Sequence, residues 1–213
     1  QAKNCYHLQY DFVELPDGAM SSRKGNIVPL QALIDNMVAM IKEQYLSRYS
    51  NEWSSEEIEA TAQTVAKGAI KYGMTRIDPS KKIVFDMQEW LKLDGESGPY
   101  AQYVCARINS MLTKLGDPQS NQIIIEAAQE KEIVGLLMNF NQVVEQSTTQ
   151  YKPSILTAYI FDLARAFNSF YAECPVGTSA EPVKSSRMIL SNAVLKTLKT
   201  GLELLGIQAP EKM

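Results

Sequence analysis

A single histidine, His7, stands in 213 residues, and cysteine is nearly as scarce: Cys5, Cys105 and Cys174, far apart, with no C-x-x-C pair. A Ser/His/Asp or Cys/His catalytic site would have to be built around His7. No local signature surrounds it, so that histidine reads as structural. Too few His and Cys remain for a metal cluster, and no metal site is expected. The same cysteines exclude a disulfide framework and fit a reducing compartment, the cytoplasm. Long apolar runs are missing too. The longest, such as "IVGLLMNF", is far too short to span a bilayer, and no signal-peptide pattern is visible. Nor is positive charge in excess. The net charge is −3 and the pI about 5.3. No global field advertises a nucleic-acid partner, and any such binding has to come from a local patch. The chain opens on Gln rather than Met, which points to a piece of something longer.

What is present is mostly helical period. The first stretch, "CYHLQYDFVELPDG", carries aromatic and β-branched residues up to the turn signal Asp17-Gly18, and predicts one or two short strands. After Pro29 the spacing changes. Leu30, Leu33, Ile34, Met37, Ile41 and Tyr45 form one apolar face. In "SSEEIEATAQTVAKGAIKYG", Ser54 and Glu57 make a capping box ahead of the stripe Ile58, Ala62, Val65, Ala69 and Ile70. "FDMQEWLKL" repeats the device with Asp86 and Glu89. "GPYAQYVCARINSMLTKLG" begins with Pro99 at the first helical position and stops at Gly116. Ile133, Leu136, Leu137, Phe140 and Val144 mark another helix. Pro153 opens the next, with Leu156, Tyr159, Ile160, Leu163, Phe167 and Phe170 on one face. The loop "CPVGTSAEP" follows, and a last helix runs from about Lys184 to Leu205. Short loops and amphipathic stripes predict an all-α fold, an antiparallel helical bundle with a small β-containing N-terminal edge. A boundary falls near "RIDPSKKIVFD".

Two stretches could carry chemistry. "MSSRKGN" offers two hydroxyls, a guanidinium, an ammonium and a glycine, groups suited to a polyphosphate; a solvated turn with an incidental Arg-Lys pair has the same composition. In "GPYAQYVCARI", Tyr100, Tyr103 and Arg107 share a helical face beside the core stripe of Val104, Ile108, Met111 and Leu115. Aromatic rings with an arginine make a stacking platform for unpaired bases; tyrosines half-buried against a neighbouring helix would give the same spacing. Phe170 reads as core and Tyr171 as intermediate. Glu56, Glu57 and Glu59 read as a helix's first turn, where acids suit the dipole.

Four stretches in this order resemble the C-terminal part of the arginyl-tRNA synthetase family, class I aminoacyl-tRNA synthetases, over nearly the whole chain. "MSSRKGN" resembles the KMSKS-type loop. "GPYAQYVCARI" resembles the family's "GPYxQYAHARI" helix start. "LARAFNSFY" and "LKTGLELLGIQAPEKM" resemble the last two helices and terminus of the DALR anticodon-binding domain. The resemblance implies that Met20, Ser21, Ser22, Arg23 and Lys24 belong to a loop that closes on ATP, the Mg-ATP substrate of the whole enzyme, with no cofactor tightly bound. Ala19 stands where many relatives have the loop's first Lys. The resemblance also implies that Tyr100, Tyr103, Arg107 and Met213, and more loosely Tyr171, meet unpaired anticodon bases. Cys105 stands where relatives usually carry His. The family's HIGH-type motif needs two histidines and is not here, and a single βαβ unit of ~30 residues does not fit ahead of the loop. The expectation is therefore a non-catalytic portion of an arginine–tRNA ligase. Residues 1–28 would form the rim of the catalytic domain, 29–80 a helical connector and 81–213 the anticodon-binding bundle. It would bind arginine-specific tRNA, with arginine and ATP as partners of the whole enzyme, as a monomer away from membranes. The competing expectation is a helical protein-interaction domain with no RNA role. A positive strip beside Tyr100 and Arg107 favours the first; an acidic face favours the second.

Overall fold

The computed structural model describes residues 5–16, 18–19 and 29–213. Its β structure is a three-stranded patch. Strand β1 (Val13–Leu15) pairs antiparallel with β2 (Gly18–Ala19) and parallel with β3 (Ile83–Val84), in register Val13 to Ile83 and Glu14 to Val84. Lys82 locks that pairing with a 2.9 Å ion pair to Glu14. The β3 partner comes from the "SKKIVFD" stretch, which the sequence marked only as a boundary. Two residues are too short to express a period of two, so nothing in the pattern announced a strand there.

Seven α-helices follow among the described residues: α1 (Leu30–Ile41), α2 (Ser55–Thr75), α3 (Met87–Leu91), α4 (Gly98–Leu115), α5 (Ala128–Thr149), α6 (Pro153–Glu173) and α7 (Val183–Leu204). The helix α1 does not stop at Ile41. It runs into a π-helical turn, Lys42–Leu46, and a 3₁₀ turn, Ser47–Tyr49. The Ser54 hydroxyl accepts from the Glu57 N–H while the Glu57 carboxylate accepts from the Ser54 N–H, so the capping box is complete. At Asp86 only half of the expected device exists. Its carboxylate accepts from the Gln88 and Glu89 N–H groups. Glu89 turns instead to Lys92, 2.6 Å away, because a five-residue helix brings that lysine within reach. Ser97 caps α4, which places Pro99 at its second position, and α4 ends at Gly116 with φ 74°.

The helices enclose two cores. One gathers α4 to α7 around Val104, Ile108, Ile133, Ile160, Leu163, Phe167, Phe170, Val194 and Leu198. The other gathers α1, α2 and α3 around Leu33, Met37, Ile41, Val65, Ala69, Phe85, Trp90 and Leu91, and it also takes in Ala106 and Met213. Thus α4 serves both, with Ile108 facing one core and Ala106 the other. The packing of α2 against α4 is close enough to require glycine. A Cβ on Gly98 would lie 2.7 Å from the Gly68 carbonyl oxygen. Backbone cannot give way there as a flexible side chain could, so Gly98→Ala should destabilise the fold by about 1–3 kcal/mol through overpacking. Urea unfolding of the variant against the parent chain measures it, and an unchanged midpoint would mean that the two helices separate freely.

Candidate nucleic-acid interface

Because α4 is shared, the stripe between its two buried faces emerges at the seam between the cores. Tyr100, Tyr103 and Arg107 lie on that stripe, half-buried. They are linked. The Arg107 Nη2 donates to the Tyr103 hydroxyl at 2.9 Å and its Nη1 donates to Asn168 Oδ1 at 2.8 Å. The Asn168 Nδ2 in turn donates to the Tyr100 hydroxyl at 2.8 Å. The guanidinium carbon of Arg107 lies 4.7 Å from the Tyr103 ring centroid and 5.6 Å from that of Tyr171. Arg107 is therefore held at two of its five N–H donors and against two rings, a cation fixed before any ligand arrives.

Beside this network opens a cavity of about 640 Å³, with Tyr103, Arg107, Lys114, Tyr171 and Met213 in its walls. Four of the residues singled out by sequence thus share one space. Tyr100 is not in its walls; it packs against Phe161 and reaches the network only through Asn168. Arg48 and Tyr49, from the 3₁₀ turn after α1, also line the cavity. Arg48, Arg107 and Lys114 give it three cations, and the lining residues include no Asp or Glu. A local positive surface therefore exists in a chain of net negative charge.

Each wall is positioned by a specific device. Met213 sits at the end of a tail fixed along α4. The buried Gln102 donates to the Gln208 carbonyl at 2.6 Å, Asn109 donates to the Glu211 carbonyl at 3.2 Å, and the Tyr49 hydroxyl donates to the Met213 carbonyl at 3.2 Å. Tyr171 projects from the last turn of α6, 41% exposed, while the adjacent Phe170 is fully buried. The third wall is the loop after α6, through Pro175, Val176, Gly177 and Thr178. Arg187 of α7 holds that loop. Its Nη1 donates to the Pro175 carbonyl at 3.0 Å and to the Ser179 hydroxyl at 2.8 Å, while its Nε donates to Glu130 Oε1 at 2.7 Å. Burial pushes the Glu130 carboxyl upward, but Arg187 and the backbone N–H groups of Ala127 and Glu126 outweigh it and hold the carboxyl below the ordinary range.

Cys105 faces the opposite way, fully buried in the α4–α7 core. Burial pushes its thiol up to about 12, so it packs as a small apolar group. His7 is exposed. Met20, Ser21, Ser22, Arg23 and Lys24 lie outside the described residues. Asn168, Arg48, Tyr49 and Lys114 escaped the sequence reading. Lys114 carried a usable signal, since it lies seven residues after Arg107 on the same stripe. Asn168 carried a weaker one, three residues before Tyr171 on the same helix.

The DALR anticodon binding domain family matches residues 101–213. The arginine–tRNA ligase of Bdellovibrio bacteriovorus is 54% identical over 217 residues, which span all of this chain and 37% of that protein. The arginine–tRNA ligase of Pyrococcus abyssi is 38% identical over 220 residues, spanning all of this chain and 35% of its own length. Among solved structures, the Thermus thermophilus arginyl-tRNA synthetase superposes with a TM-score of 0.89 at 31% identity, covering 100% of this chain and 36% of that one. The Plasmodium falciparum arginyl-tRNA synthetase superposes with a TM-score of 0.78 at 21% identity over 96% of this chain and 34% of that one, and shares the fold. The chain spans little more than a third of the length of these relatives.

Proposed function

This chain belongs to the DALR anticodon binding domain family, and we propose that it reads unpaired anticodon bases of an arginine-specific tRNA through the cavity beside α4. The observation that carries this reading is the composition of that cavity. Three tyrosines, two methionines and three cations line it without an Asp or Glu side chain. Single-stranded RNA is recognised by rings that stack on splayed bases and by donors that meet base edges and phosphates. Tyr103 and Tyr171 supply the rings. Arg107 supplies three donors that its contacts with Tyr103 and Asn168 leave unused. Met213 forms an apolar floor that adapts to the base placed on it. Tyr100 acts from behind, holding Asn168 and through it Arg107. A protein-interaction module would have no need of a cavity without Asp or Glu side chains in an acidic chain, and the lining favours RNA.

In this reading the chain serves an arginine–tRNA ligase, which joins arginine to its tRNA at the expense of ATP, giving AMP and pyrophosphate. Anticodon recognition by residues 81–213 fixes the tRNA. Residues 29–80 connect that bundle to the catalytic part. Met20 to Lys24 meet the triphosphate of ATP, where Arg23 and Lys24 offset developing charge. This portion by itself activates no amino acid. The assembly is a cytoplasmic monomer. The test is binding of the chain to an arginine-tRNA anticodon stem-loop, against the same RNA with its middle anticodon base changed, at two salt concentrations. The changed base should weaken binding about tenfold or more, in line with ~1–3 kcal/mol per stacked base. Equal, purely salt-dependent binding of both RNAs would sink base readout by this chain.

A further inference from the structure

We infer that Arg48, carried by the turns after α1 and outside the matched residues 101–213, is a phosphate-binding residue for the RNA held in this cavity. The inference rests on the anticodon-binding reading and adds a subsite to it, contributed by the other core. Arg48 is exposed and lines the same cavity as Arg107 and Tyr171. Its guanidinium carbon stands 4.9 Å from the Tyr49 ring centroid. Tyr49 is stacked on Trp53, with centroids 4.5 Å apart and planes at 9°. Its hydroxyl donates to the Met213 carbonyl, which ties this platform to the cavity floor. The Tyr49 ring orients the guanidinium, and among the described residues no carboxylate pairs with it.

A phosphate fits this arrangement better than a base does. Trp53 stacks on Tyr49 and Arg48 lies over the same ring, so both compete with a base for it. An exposed guanidinium with unused donors suits bidentate contact to phosphate oxygens. The local helix geometry supplies the placement. The π-helical turn at Lys42–Leu46 and the 3₁₀ turn at Ser47–Tyr49 shift the chain off the α1 spiral. Arg48 and Tyr49 thereby reach the cavity while Leu46 stays fully buried. Such insertions in a helix often mark functional positions.

Phosphate contacts and base contacts leave different marks on binding. For the matched and the changed anticodon stem-loop, Arg48→Gln should weaken binding severalfold and alike. It should also lower the slope of log affinity against log salt by roughly 0.7, the loss of one single-strand phosphate contact. Arg48→Lys should keep the slope and recover part of the affinity. The exposed position predicts an unchanged unfolding midpoint for both variants. An unchanged slope and affinity in Arg48→Gln, with the parent chain still discriminating the two RNAs, would overturn this assignment and leave the anticodon reading intact. Loss of discrimination in Arg48→Gln would also overturn it, since Arg48 would then read a base. Failure of the parent chain to bind either RNA would remove both.

Discussion

Truncating Glu130 to alanine should destabilise the chain by about 3–5 kcal/mol, the cost of leaving one member of a buried ion pair without its partner. Glu130 is 1% exposed and accepts from Arg187 and two backbone N–H groups at the start of α5. Removing it orphans those two donors and the Arg187 Nε, and leaves the guanidinium charge without its partner. Arg187 would still reach Pro175 and Ser179, but no longer against a fixed counter-charge. The loop that walls the cavity would lose its anchor along with the stability. The pH dependence identifies the cause. The folded carboxyl lies below its ordinary range, so its contribution is fully present above the unfolded value, about 4.3. It is lost as pH falls through the lower folded value. The gap in unfolding free energy between the parent chain and Glu130→Gln should therefore be widest near neutrality and narrow in acid. Replacing both partners, Glu130→Leu with Arg187→Met, should recover much of the stability and little of the RNA affinity, because packing is restored and the loop anchor is not. A gap that stays constant from neutrality into acid would show that Glu130 contributes through shape rather than charge.

How much of this was legible in the sequence depends on whether a feature is local. The stripes on α2, α4 and α6 were readable because a buried helix face repeats every three to four residues, and Leu156, Ile160, Leu163, Phe167 and Phe170 are all buried as that spacing requires. The complete capping box at Ser54 was readable for the same reason, since both partners lie three residues apart. The pairing of β1 with β3 joins residues seventy positions apart across strands of three and two residues, and neither length nor period carries that information. Arg48 and Tyr49 reach the cavity through π and 3₁₀ turns that break the helical period, so extrapolating the α1 stripe places them wrongly. The tyrosine stripe of α4 was visible as a stripe. Its meaning depended on α4 sitting between two cores, which is a property of the whole fold. The Glu130–Arg187 pair was hidden because a glutamate in a helix's first turn looks like an ordinary dipole contact.

The second large effect is expected at Arg107. Its replacement by alanine should weaken binding of the matched anticodon stem-loop by about 2–4 kcal/mol, roughly 30- to 1,000-fold. The changed-base RNA should lose less, so discrimination collapses toward unity. The reason is that Arg107 is the one cation in the cavity held by both a hydrogen-bond network and aromatic rings. Its truncation removes the charge, the donors and the support of Tyr103 at once. Asn168→Ala separates these contributions. It leaves Arg107 in the cavity and frees its Nη1, while the Tyr100 hydroxyl loses its donor. Affinity should then fall by less than in Arg107→Ala, with the salt slope unchanged, because the charge is still present and only its orientation is lost. Tyr100→Phe should act in the same direction more weakly, since it removes a hydroxyl that never reaches the cavity. The ordering Arg107→Ala, Asn168→Ala, Tyr100→Phe in declining effect on base discrimination follows from distance along one chain of hydrogen bonds. If Tyr100→Phe costs as much as Arg107→Ala, Tyr100 meets the RNA itself, and the cavity that receives the bases extends past Asn168 toward Phe161.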